Sequence, residues 1–270
     1  MTDDPPGPDV LHAFGVGGCA PVLLAGGRGL TWHVGDLVLR PHDGPSVTDW
    51  RAGVLAALEP SSAFRTPRPV TTTDGAWRSG AWEAWEYVAG RADESRVLDV
   101  IRTGRAFHQA IAELDRPAFL DHAADPWSRA DRMAWGEDPL PADPTLDRLA
   151  GVFQPVHEPS QLVHGDLLGN VLFAEGQPPA VIDWPPYWRP AGFGAAVAVA
   201  DAACWHGFPL DRVQVVGPDQ PAWAQLLVRA LTFRIATAVL LGAWDGTAIA
   251  RHQPVVNAVV SAASCGTVQA

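Results

Sequence analysis

The sequence predicts an α+β chain, strand-rich over residues 1–90 and helix-rich over 91–270. Three observations predict it. Short apolar runs broken by glycine turns fill the first part. Beyond residue 91, apolar residues recur at helical spacing. Within that helical part, residues 162–184 carry two short apolar strands around a polar loop.

In order, residues 9–15 predict a short leading helix. Pro21–Ala25 reads as a strand, and Gly26, Gly27 and Gly29 make a turn. Leu30–Val34 resumes the extended pattern, Gly35-Asp36 is a hairpin turn, and Leu37–Arg40 is the next strand. Ser46–Leu58 reads as a helix capped by Ser46 or Thr48, with Trp50, Val54, Leu55 and Leu58 on one face. Arg68–Val70, Ala76-Trp77 and Ala81–Val88 read as strands ending at Ala89-Gly90.

From there Val97, Ile101, Gly104, Phe107, His108 and Ile111 form one broad helical stripe, with His108 a structural histidine. Residues 115–145, crowded with Asp, Pro and Trp, show weak periodicity. Leu146–Val156, Phe193–Trp205, Ala222–Gly242 and Val255–Ser264 read as helices. Asp201, Arg229 and Arg234 are charges inside apolar helices. The uncharged run Ile235–Trp244 is too short to span a bilayer, which takes about twenty residues.

Composition narrows the function. Apolar residues make up 47% of the 270, enough for a sizeable core. The net charge is −11 with no basic tract, which argues against nucleic acid, whose binding neutralises phosphates. Acidity favours solubility, and would also suit a cationic small molecule. Lysine is absent, so a phosphate clamp must use arginine or backbone amides. Cys19, Cys204 and Cys265 fit no zinc spacing and no disulfide framework. The acidic, proline-rich start is unlike a signal peptide. A cytoplasmic protein is the expectation.

The chemistry lies in 162–184. Leu162-Val163 leads into His164-Gly165-Asp166; Asn170 follows; Val171-Leu172-Phe173 leaves the loop. Ala174–Pro179 reads as a hairpin connection, and Val181-Ile182 as a second strand ending at Asp183. Such a hairpin gathers Asp166, Asn170 and Asp183 at one end of two strands. Two carboxylates and an amide oxygen suit a hard cation such as magnesium.

This pattern resembles the aminoglycoside phosphotransferase and choline kinase-like enzymes, relatives of the protein kinases. There a His-Gly-Asp loop stands for His-Arg-Asp, and Ile-Asp-Trp for Asp-Phe-Gly. The resemblance implies a bilobal protein-kinase-like fold: a small antiparallel-sheet lobe over 1–90, and a larger, mainly helical lobe over 91–270. It implies transfer of the γ-phosphate of ATP to a hydroxyl of a small molecule, such as an aminoglycoside or amino sugar. Asp166 would be the catalytic aspartate, while Asn170 and Asp183 would hold magnesium. Gly26, Gly27 and Gly29 would approach the phosphates, Arg40 would stand for the phosphate-binding lysine, and Asp49 would pair with it. Glu86, Tyr87 and Val88 would be the adenine-binding hinge. No nucleic-acid or membrane partner is implied.

Three departures keep a second reading open, a nucleotide-binding pseudokinase with a regulatory or scaffolding role. Arginine replaces lysine, and Asp49 replaces glutamate. Three residues separate Asp166 from Asn170, one fewer than in the protein-kinase loop. A metal-dependent hydrolase using His164, Asp166 and Asp183 is a third reading.

Overall fold

The computed structural model describes residues 4–25, 29–217 and 220–266. In chain order the elements begin with α1 (Pro8–Ala13), β1 (Val22–Leu23), β2 (Trp32–Val34), β3 (Leu37–Pro41), α2 (Pro45–Ala57), β4 (Pro69–Val70), β5 (Arg78–Ser79), β6 (Trp82–Glu86) and β7 (Arg91–Ala92). They continue with α3 (Val97–Ala110), α4 (Pro126–Ala134), α5 (Pro144–Ala150), β8 (Ser160–His164), β9 (Val171–Phe173), β10 (Ala180–Val181) and β11 (Pro186–Pro190). Helices α6 (Phe193–Trp205), α7 (Trp223–Leu240) and α8 (Gly246–Gly266) complete the chain. Two compact units result: Met1–Gly90 with Ala174–Ile182, and Arg91–Phe173 with Asp183–Ala270. The sequence reading left 174–182 with the helical part.

The first unit is built on an antiparallel sheet in the order β1-β2-β3-β6-β4, with β5 also paired to β6. The Gly35-Asp36 turn sets Val34 opposite Leu37, with Gly35 at φ 60, where glycine is tolerated. Val34, Leu39 and Ala84 point into a small core with Leu11 and Phe14 of the leading segment. Residues 174–182 join this unit through Arg65. Its amide donates to Pro179 O, its Nε donates to Pro178 O, and its carbonyl accepts from Val181 N–H, each at 2.9 Å.

Helix α2 departs from expectation at its start. Gly44 occupies the N-cap at φ 119 and Pro45 the first turn, with no side-chain cap from Ser46 or Thr48. Proline there lacks only an N–H that the helix could not have used. The buried face is Thr48, Arg51, Ala52 and Leu55. Trp50, Val54 and Leu58 are half-buried.

The second unit is helical around α7, which packs against α4, α5, α6 and α8. Helix α6 buries residues on every side, Phe193, Val197 and Val199 among them, as a central core helix does. By length and composition α7 could cross a membrane, yet 72% of it is buried inside the protein. Two small antiparallel pairings complete the unit, β8 with β11 and β7 with β9.

Helix α4 and strand β11 were not anticipated, and helix α8 starts earlier than expected. Helix α4 lies in the weakly periodic stretch. Its start signal was local: the Asp125 side chain accepts from the Trp127 and Ser128 amides, and Pro126 follows it. Helix α8 begins at Gly246 rather than Val255 and runs through Pro254. Asp245 Oδ1 caps it, accepting from the Thr247 and Ala248 amides at 2.9 Å each. Strand β11 begins and ends in proline, which masked it.

Candidate active site

The His-Gly-Asp loop leaves the buried strand β8. His164 is fully buried, and its Nδ1 accepts from the Asp166 amide at 3.1 Å. The His164 amide donates to His108 Nε2 at 2.8 Å. That nitrogen must therefore be unprotonated, and Nδ1–H of His108 donates to Ala191 O at 3.1 Å. Burial pushes the His108 pKa down to about 3, with a lesser push from His164, so the ring stays neutral. His108 is a strut for the loop, as the sequence reading has it. Gly165 lies flat against the Tyr187 ring, where a Cβ would stand 2.5 Å from Cε2.

Beyond Asp166 the loop turns tightly. Gly169 takes φ 85, a conformation open to glycine, and the shortened spacing closes there. Asn170 Nδ2 donates to Asp166 O at 2.7 Å and to Asp166 Oδ2 at 3.1 Å. Leu167 and Leu168 are buried and anchor the turn; Leu167 packs on Gly104 of α3. The Asp166 side chain stays 43% exposed, open to a substrate.

The other carboxylate oxygen of Asp166 is held by a residue that sequence reading did not assign. Arg234, on α7, donates from Nη2 to Asp166 Oδ1 at 2.5 Å and to Asp201 Oδ2 at 2.5 Å. Its Nε donates to Asp201 Oδ1 at 2.9 Å. Burial alone would lower the Arg234 pKa, but the charges of Asp201 and Asp166 outweigh it and hold the pKa above its ordinary value. Burial raises the Asp201 carboxyl, against the pull of Arg234. The signal was present: lone opposite charges in two apolar helices imply a partner, since an unpaired buried charge is costly.

Asp183 is exposed and follows β10 at φ 49, unusual for a residue with a Cβ. Trp184 beside it is buried; its Nε1 donates to Val163 O at 3.2 Å, and its ring meets Phe107 edge-on at 5.2 Å. The next residue is thus pinned to the strand that carries the loop. Asp166, Asn170 and Asp183 all belong to the second unit. Among the described residues, no three His, Cys, Asp or Glu side chains form a metal cage. Magnesium does not need one, because it binds through one or two protein oxygens and keeps waters and phosphate oxygens. Asn170 Oδ1 has no partner among the described residues, its amide nitrogen facing Asp166. These hard oxygen donors fit magnesium.

In the first unit, Gly29 has φ 70, while Gly26 and Gly27 lie outside the described residues. Arg40 faces Glu83 across β3 and β6 and donates from Nε to Oε1 at 2.6 Å. Arg51 of α2 donates from Nη2 to the same carboxylate at 2.9 Å and 3.2 Å. Burial would raise the Glu83 pKa, but the charges of Arg51 and Arg40 outweigh it and hold the carboxyl below the usual range. The expected pairing of Asp49 with Arg40 is not made. Asp49 faces outward and takes Arg78 at 2.9 Å and 3.1 Å. The sheet thus supplies the acid and the helix a base, the reverse of the expected arrangement. In the expected hinge, the Glu86 amide donates to Arg68 O and the Tyr87 amide to Asp36 O, both at 2.8 Å. Only the Val88 amide donates to no described residue.

Comparison with known proteins bears on the fold and the family. A thermostable mutant of aminoglycoside phosphotransferase APH(4)-Ia, solved as a ternary complex with ADP and hygromycin B, superposes with a TM-score of 0.59 at 17% identity, covering 93% of this chain and 97% of that one. An aminoglycoside phosphotransferase from Alicyclobacillus acidocaldarius gives 0.52 at 16% identity, covering 89% and 90%. Spectinomycin phosphotransferase APH(9)-Ia, in complex with ADP and spectinomycin, gives 0.51 at 14%, covering 90% and 93%. At these identities the likeness is one of fold, the α+β kinase-like fold. Sequence comparison with curated proteins gives no significant match. The profile described as the phosphotransferase enzyme family matches residues 23–209, well over half of the chain. On that match, the chain belongs to the phosphotransferase enzyme family.

Proposed function

We propose that this phosphotransferase moves the γ-phosphate of ATP to a hydroxyl of a small molecule, with Asp166 as the catalytic residue. The observation that carries the reading is the held carboxylate of Asp166. Arg234 takes one oxygen and Asn170 the other, yet the side chain stays open to solvent. An ionised carboxylate has about four acceptor sites, so two remain for an acceptor hydroxyl. Asp166 accepts that hydroxyl's hydrogen bond and aims its oxygen at the phosphorus. The new O–P bond forms as the bond to the ADP oxygen breaks, and the hydroxyl proton passes to Asp166. Little covalent work falls to the protein, so positioning supplies most of the rate.

Asn170 Oδ1 and Asp183 would hold magnesium. Bound there, the ion would neutralise charge on the transferring group. Val88 would receive adenine through its amide, and Gly29, with Gly26 and Gly27, would let backbone approach the phosphates. Arg40 would contribute charge, braced by Glu83. Its arginine identity and its engagement by Glu83 also support the second reading, nucleotide binding without transfer. An ATP-dependent reaction of this kind implies a cytoplasmic enzyme acting on a free small molecule, with no nucleic-acid or membrane partner.

Transfer of labelled γ-phosphate to a panel of hydroxylated acceptors, with wild type and Asp166→Asn, tests the reading. The variant should bind magnesium-ATP normally and slow transfer by about a hundredfold or more. Full turnover in the variant removes Asp166 from its role. Nucleotide binding by wild type with no transfer to any acceptor favours the second reading.

A further inference from the structure

Beside Asp166, wholly within the second unit, lies a cavity of about 320 Å³. Its walls come from α6, α7 and α8: Asp201, Trp205, Arg234 and His252, with small apolar surface from Ala238 and Ala248. The volume sits at the low end for small-molecule sites.

Its carboxylates are already engaged. The lining carboxylates, Asp166 and Asp201, are both bound to Arg234. Arg251 lays its guanidinium 3.9 Å from the centre of the Trp205 ring, adding positive charge at that wall. An acceptor bearing several ammonium groups would meet Arg234 and no carboxylate that is free of it, the open sites of Asp166 being those that take the reacting hydroxyl. Its unreplaced desolvation would weigh against binding.

The polar atoms left over match hydroxyl groups. Arg234 Nη1 donates to no described residue, since all its recorded bonds use Nε and Nη2. His252 Nδ1 lies 2.7 Å from Ala248 O, which fixes the proton on that nitrogen and leaves a lone pair on Nε2. Burial holds this imidazole below its ordinary pKa, so the lone pair persists at neutral pH. No described residue donates to Nε2. Arg234 Nη1 and His252 Nε2 thus offer a donor and an acceptor beside the catalytic carboxylate, and the His206 imidazole also lines the cavity. A hydroxyl can satisfy both, whereas an ammonium can only donate.

We propose that this cavity is the acceptor site and selects a compact uncharged polyol, a single hydroxylated ring, over an amino sugar bearing ammonium groups. The proposal rests on the phosphotransferase reading above and adds the substrate class. Neighbouring hydroxyls of the ring would accept from Arg234 and donate to His252, leaving a third to Asp166. The Trp205 ring would cover an apolar face.

The test uses the full chain with magnesium-ATP and matched acceptors: neutral monosaccharides and cyclitols, their amino counterparts, hygromycin B and spectinomycin. Product phosphate is followed by phosphorus NMR. Neutral members should show kcat/KM at least about tenfold above their amino counterparts, the worth of one lost hydrogen bond. Equal or faster transfer to the amino compounds, to hygromycin B or to spectinomycin overturns the proposal, as does no transfer to any neutral member. Calorimetry of magnesium-ATP binding separates the failures. Absent nucleotide binding strikes the phosphotransferase reading, and intact binding with the wrong preference strikes only the acceptor class. His252→Phe should raise acceptor KM about tenfold with ATP KM unchanged; an unchanged acceptor KM also overturns it.

Discussion

Arg234 reaches across 68 residues of sequence to hold Asp166 Oδ1 at 2.5 Å, and the same Nη2 holds Asp201. One guanidinium therefore joins the core of the helical unit to the carboxylate at the loop. The pair fixes the Asp166 rotamer from behind while Asn170 fixes it from the side.

Removing that guanidinium should be expensive. Arg234→Met leaves Asp201, whose side chain is 14% exposed, without its partner, and loss of one member of a largely buried pair costs about 3 kcal/mol. A clear drop in Tm by thermal denaturation is expected. Arg234→Met combined with Asp201→Leu should recover much of it, since an apolar replacement of both partners removes the unpaired charge. A double variant no more stable than the single would show that the pair does not account for the loss.

Asp183 combines a proposed metal oxygen with a φ of 49. Asp183→Ala and Asp183→Gly should both abolish magnesium-dependent nucleotide affinity, measured by calorimetry with and without the metal. They should differ in stability. Glycine relieves the left-handed backbone, a difference of about 1 kcal/mol in its favour. Nucleotide affinity unchanged by either substitution would remove Asp183 from the metal site.

Glu83 should make the first unit acid-sensitive. Its folded pKa is depressed by Arg51 and Arg40, so its contribution is complete above the ordinary carboxylate range and fades as pH falls through the folded pKa. The Tm of wild type should fall on acidification below about pH 4. Glu83→Gln should be less stable at neutral pH and lose part of that acid limb. A pH profile parallel to wild type would contradict the assignment.

His108 titrates in the opposite chemical sense but in the same direction on the stability curve. Its folded pKa of about 3 lies below the ordinary 6.5, so between those values the unfolded chain binds a proton that the folded chain does not. Stability should decline as pH falls from 6.5, by up to about 1.4 kcal/mol per pH unit from this group. His108→Gln keeps an acceptor for the His164 amide and cannot titrate. Its stability should respond less steeply over that range, read from denaturant midpoints.

Local signals were legible in the sequence and remote ones were not. His164-Gly165-Asp166, Asn170 and Asp183 lie within one short stretch, and the Gly35 turn and Phe193–Trp205 helix follow from contiguous residues. The partners of Arg40 could not be read the same way. Position along α2 suggested Asp49, but helix rotation turns Arg51 inward and Asp49 outward. Glu83 alternates into the core of its strand, where tryptophan neighbours disguised it as part of an aromatic run. The Arg234–Asp166 bond joins segments whose order in the chain says nothing of their distance. Helix α4 and the first turns of α8 have few large apolar residues to set a periodicity, and their start signals, Asp125-Pro126 and Asp245-Gly246-Thr247, lie in capping residues instead.

The imidazole of His108 has a further use. Its two nitrogens serve opposite tasks, one receiving from the strand that leads to the loop and the other giving to Ala191 O. Isotope-labelled nitrogen resonances of this ring should therefore be widely separated while the loop is seated, and should draw together if it detaches. The protein carries its own spectroscopic reporter of catalytic-loop position, one that needs no attached dye and no bound ligand to be read.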